Sequence, residues 1–140
     1  MNGVPPAIRA ALRGKTSQCS LPAALAADAT KEWPIFMAER PCKILSITVV
    51  PQALITGANA NTFHWNVKNR GTDGLATTEI GNVDFVAGTN AAAFDGREIV
   101  NEVAGRRMTA GQVLTIEREK IGTGIAAPEA LVVVAYEYEA

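Results

Sequence analysis

Histidine is almost missing from this 140-residue chain, and cysteine nearly so: His64 stands alone, with Cys19 and Cys42 as the two thiols. One histidine with no cysteine near it in sequence gives no ligand spacing for a zinc or iron centre. Neither a Gly-x-Ser-x-Gly elbow nor another nucleophile turn frames a serine that His64 could serve. No catalytic, metal-binding or cofactor-binding residue is therefore expected. Two cysteines outside any Cys-x-x-Cys spacing make no disulfide framework, so both read as reduced thiols. Apolar runs long enough to span a bilayer are lacking, as is a charged n-region leading into an apolar stretch, and Asn-x-Ser/Thr sequons do not occur. A cytosolic product without a membrane partner is the expectation. Basic blocks of five or more are also wanting, and the net charge is −1, which gives no support for a nucleic-acid partner.

Several patterns that could carry chemistry have simpler readings. Gly122-Thr-Gly-Ile-Ala-Ala-Pro has no Lys-Ser/Thr to complete a phosphate loop and reads as a flexible turn. Asp73, Asp84 and Asp95 follow no calcium-loop pattern and suit local hydrogen bonding in turns. The pairs Glu117/Glu119 and Glu137/Glu139 share strand faces and are expected at a sheet edge or in solvent. His64 falls on a wet strand face and reads as a surface side chain.

What is present is β pattern over most of the chain, preceded by a different kind of segment. No acid occurs before Asp28, whereas Arg9, Arg13 and Lys15 do; the ten remaining bases then face fourteen acids. Residues 1–30 carry no recognisable strand pattern and are expected to form an extended N-terminal arm, with residues 31–140 as the body. Pro5-Pro6, then Ala-Ile-Arg-Ala-Ala-Leu-Arg, then Gly14 predict one short helix with Ile8 and Leu12 a turn apart. About eight residues is below the roughly 12–15 that make an isolated helix marginally stable, so it needs a partner surface. Ile8 and Leu12 would fill an apolar groove while Arg9, Arg13 and Lys15 meet acidic surface.

In the body, Pro34 lacks a ladder N–H and marks a strand start or an edge strand. Lys43 to Val50 predicts a strand with Leu45, Ile47 and Val49 on one face. Thr62 to Asn69 alternates cleanly, sending Phe63, Trp65 and Val67 inward. A strand with a bulge near Gly81 carries Ile80, Val83 and Phe85. Thr89 to Gly96 predicts a capped helical turn. Short strands follow over Arg97 to Val103, Val113 to Ile121 and Leu131 to Glu139. Seven or eight such strands argue an all-β, antiparallel two-sheet sandwich, jelly-roll-like. On the last strand, Leu131 and Val133 oppose Val132, Val134, Tyr136 and Tyr138, which makes it apolar on both sides and points to a subunit contact. Trp33 and Phe36 join Leu131 and Val133 as candidate contact residues of the body.

The runs Ile44-Leu-Ser-Ile-Thr-Val-Val-Pro-Gln-Ala, Asn61-Thr-Phe-His-Trp-Asn-Val-Lys-Asn-Arg-Gly-Thr-Asp-Gly, Ala110-Gly-Gln-Val-Leu-Thr-Ile and Val132-Val-Val-Ala-Tyr resemble the small β-sandwich virion proteins of tailed bacteriophages. Over about residues 33–140 the chain is most similar to capsid decoration, or cement, proteins. That resemblance implies a homotrimer on the capsid exterior, made in the host cytoplasm. Its partners would be the major capsid protein, itself, and neighbouring decoration subunits reached through the arm. A glycan- or receptor-binding module of a tail or head fibre is the alternative, with Trp33, Asp73 and Asn90 as its loop site.

Overall fold

The computed structural model describes residues 14–100 and 106–139. Among them the chain forms nine strands and no helix: β1 (Lys15–Leu21), β2 (Lys31–Met37), β3 (Cys42–Pro51), β4 (Thr62–Asn69), β5 (Thr78–Asp84), β6 (Arg97–Val100), β7 (Arg107–Met108), β8 (Val113–Ile121) and β9 (Ala130–Tyr138). One sheet runs β1-β9-β3-β6, with β7 on the same side of β3 as β6; the other runs β2-β8-β4-β5, and every pairing is antiparallel. The fold is thus an all-β sandwich of two antiparallel sheets. The first half of the chain pairs with the second in reverse order, β1 with β9, β2 with β8, β3 with β6 and β4 with β5.

Between the sheets, Leu21, Ile44, Ile47, Val49, Val132 and Val134 meet Phe63, Trp65, Val67, Leu114 and Ile116, all buried. Phe63, Trp65 and Phe85 form a tilted triad with ring centroids 5.0–5.4 Å apart, a geometry that adds to their area burial. Phe36 of one sheet packs on Tyr136 of the other at 4.8 Å. Pro34 lies on β2, which is an edge strand, where its missing N–H costs no ladder bond.

Several sequence expectations need correction. The arm does not extend to residue 30: Lys15–Leu21 is a strand paired residue for residue with β9, and Leu21 is in the core. Its inward positions include Lys15, Ser17 and Cys19, too weakly apolar to leave a clear alternation. The helix expected over Pro5 to Arg13 lies outside the described residues. A register shift between Ile44 and Ser46 puts Ile44 in the core instead of Leu45, so the face reading of β3 is inverted before the bulge and right after it. Thr89 to Gly96 is not a helical turn. It runs through a bridge, Ile55 to Ala91, and a turn at Phe94, while the Asn90 side chain accepts from the Gly57 N–H at 2.9 Å. Glu117 and Glu119 sit on β8, an interior strand, not at an edge.

Candidate protein-interaction face

The outward faces of the two sheets differ sharply. On β2-β8-β4-β5, Glu32 stands directly across from Glu117, a like-charge pairing that is unfavourable alone. Arg70 relieves it by gripping the Glu32 carboxylate with two nitrogens, with Nε donating at 2.6 Å, and the Thr115 hydroxyl donates to the same group. The Arg70 guanidinium holds the Glu32 carboxyl below the ordinary carboxylate value, against the opposing effect of burial. Lys68 donates to Glu117 at 3.0 Å, and Asn66 donates to Glu117 at 2.9 Å and Glu119 at 3.3 Å. His64 Nδ1 lies 3.1 Å from Asp84 and 3.3 Å from Glu119. This face is a cross-strand polar network, its charges largely satisfied from within. Among the described residues no group of three His, Cys, Asp or Glu side chains is placed to hold a metal ion.

The outward face of β1-β9-β3-β6 has a different chemistry. Registered pairs place Thr16, Gln18 and Ser20 beside Ala135, Val133 and Leu131, and these beside Ser46, Thr48 and Val50. These nine positions carry no charge, and Leu131 remains 38% exposed; charge returns only around them, where Lys43 is registered with Glu137 and where Glu98 of β6 lies beside Thr48. At its far end a groove of about 380 Å³ opens between Val50, Pro51, Ala130, Leu131 and Phe94, with Ser20, Gln52 and Glu129 also lining it. That volume falls within the range of small binding clefts.

Phe94 is the unusual member. It is 77% exposed and has φ of 61°, a left-handed conformation that costs a non-glycine residue about 1–2 kcal/mol. Its N–H donates to the Pro51 carbonyl at 2.8 Å, which fixes the ring beside the groove. Strain and exposure of a large aromatic coincide here, a combination found where a surface is used.

Of the predicted contact residues, Leu131 and Val133 lie in the uncharged patch. Trp33 and Phe36 are half-buried and engaged internally, Trp33 beneath the Lys31 ammonium at 5.8 Å and Phe36 on Tyr136. Lys15 opens β1, and Ile8, Arg9, Leu12 and Arg13 lie outside the described residues. The alternative loop site does not assemble: Asp73 follows the C-terminal end of β4, whereas Asn90 follows β5 beyond its pairing with the N-terminal half of β4. Cys19 and Cys42 are unpaired thiols, each pushed up by burial.

Sequence reasoning missed two residues. Phe94 gave a signal as an aromatic set among turn residues, Ala92-Ala-Phe-Asp-Gly. Arg118 gave a plainer one, since period two puts it in phase with Leu114 and Ile116. It is 1% exposed, and its guanidinium donates to the carbonyls of Asp28 (2.7 Å), Ile125 (2.8 Å), Leu25 (3.1 Å) and Ala26 (3.5 Å) over the Phe63 ring. Burial pushes it below the ordinary arginine value while Asp28 opposes that. Arg118 thereby ties the segment between β1 and β2 to the body.

No protein-family model matches the chain, and no curated protein does. Among solved structures it is similar to one described as the structure of infectious bursal disease virus Gx strain, at 15% sequence identity and a TM-score of 0.34. That match covers 91% of this chain and 38% of the other, so the chain spans well under half the neighbour's length. A likeness of this degree carries no argument for role or assembly.

Proposed function

We propose that the chain is a non-enzymatic structural subunit of a virus particle: a capsid decoration protein of a tailed bacteriophage that bridges major capsid subunits from the outside, as a homotrimer. The observation that carries this reading is the contrast between the two sheets. One outward face is a dense network of charges that neutralise one another, while the other holds an uncharged patch, from Thr16–Ser20 across Leu131–Ala135 to Ser46–Val50, that ends in a groove bordered by an exposed, strained aromatic. Interfaces are depleted of charge at their centres and enriched in aromatic anchors. The strand order supports a jelly-roll body, since first-half and second-half strands pair in reverse as in one long hairpin rolled into two layers. Since Lys15–Leu21 belongs to β1, the proposed arm is confined to the residues before it, as a second point of attachment with Ile8, Arg9, Leu12 and Arg13 in contact with a neighbour; weak contacts joined in one chain gain avidity.

Imaging of particles assembled with and without the subunit tests the proposal. The expected result is added density in many symmetric copies over the head; density confined to the tail, or none, refutes it. The deletion that tests the arm ends at residue 13, because one reaching residue 25 would also remove β1 and part of the segment Arg118 holds.

A further inference from the structure

We infer that the groove beside Phe94 receives the N-terminal segment, residues 1–13, of a second copy of this chain. The inference rests on the assembly reading above and names one of its contacts. The groove floor is apolar, made by Val50, Pro51, Phe94, Ala130 and Leu131. Two exposed carboxylates accompany it: Glu129 is in the lining, and Asp95 follows the lining residue Phe94 in the chain. The segment carries the complementary set: Ile8 and Leu12 to fill the floor, and Arg9 and Arg13 to meet the carboxylates, with no acid of its own. Apolar anchors seated in a cleft with opposite charge at the rim give both affinity and register.

Direction and reach together favour another copy's groove over the chain's own. The segment joins the sandwich at Lys15, whereas Ser20, in the groove wall, lies five residues further along β1, about 17 Å away at roughly 3.4 Å per residue. Ile8 precedes Gly14 by six residues, about 20 Å at full extension. Because β1 runs from Lys15 toward the groove, the segment leaves the sandwich at the end away from it, and seating Ile8 in its own groove would need a reversal of direction and nearly all of that reach. Inserted into a neighbour, it makes a head-to-tail contact, the kind that closes into a ring when the rotation per step allows it.

A charge-exchange experiment on the full chain tests this by sedimentation velocity over a concentration series. One variant carries Arg9→Glu with Arg13→Glu, the other Asp95→Lys with Glu129→Lys. Each alone is expected to self-associate at least about tenfold more weakly than the unaltered chain, and an equimolar mixture to recover much of the loss. Phe94→Gly, which suits the left-handed backbone and keeps the fold, is expected to weaken association by about tenfold as well. Unchanged association in either charge variant, or no recovery on mixing, overturns the inference. So does an unaltered chain that stays monomeric throughout the series. If the groove variants lose particle binding but not self-association, the occupant is a capsid subunit; this contact is then refuted while the decoration role stands.

Discussion

At the scale of single residues, Arg118 and Glu32 show charge used for structure. Arg118 satisfies four carbonyl oxygens at one end of the core. Arg118→Ala should cost about 3–5 kcal/mol, because it opens a cavity and strands those acceptors. By thermal melting this is a fall of roughly 10 °C or more. Arg118→Met keeps the stem volume but not the donors, and should lose nearly as much if the hydrogen bonds dominate. Glu32 predicts an acid limb. Its folded value lies below the ordinary 4.5 because Arg70 donates to it, so its contribution is complete above about 4.5 and lost as pH falls through the folded value. Glu32→Gln should therefore flatten the decline of urea midpoint with acidity below that pH; an unaltered slope would show that other carboxylates govern it.

Among the elements, the turn between β8 and β9 and the segment between β1 and β2 depend on each other. Gly124 has φ of 73°, and a Cβ there would stand 2.3 Å from the Ala26 carbonyl oxygen. Gly124→Ala combines a disfavoured conformation with a backbone clash, and a loss of about 2–3 kcal/mol is expected from chemical denaturation. The sequence shows these glycines as a turn, yet not what they abut. The same distinction runs through the strands. Phe63, Trp65 and Val67 were legible because unbroken alternation tracks a flat pleat, and Pro34 because chemistry confines it to an edge. Ile44 and Leu45 were assigned to the wrong faces because a bulge shifts phase without changing composition. β1 was missed because a strand whose inward side chains are mostly weakly apolar needs its neighbour, β9, to be defined.

For the whole molecule, the uncharged patch makes a prediction separate from the groove contact. Leu131→Glu and Val133→Lys lie on the outward side of β9, so they should leave the melting midpoint within about 2 °C while abolishing attachment to particles. A large fall in melting midpoint would mean that these positions serve the core instead. The candidate face could be half read in advance: an apolar run on both sides of the last strand singles out Leu131 and Val133. Phe94 and Val50 could not be added to it, since they reach the groove from separate parts of the chain. By itself the sequence determined the two-sheet sandwich, the aromatic core strand and the charge imbalance of the leading segment, because period and composition are local and additive. Tertiary structure decided which strands pair, where the bulges shift register, that Arg118 is buried and that Phe94 stands exposed. Those outcomes depend on the partner each backbone group finds across the sheet, and no stretch of neighbouring residues contains that information.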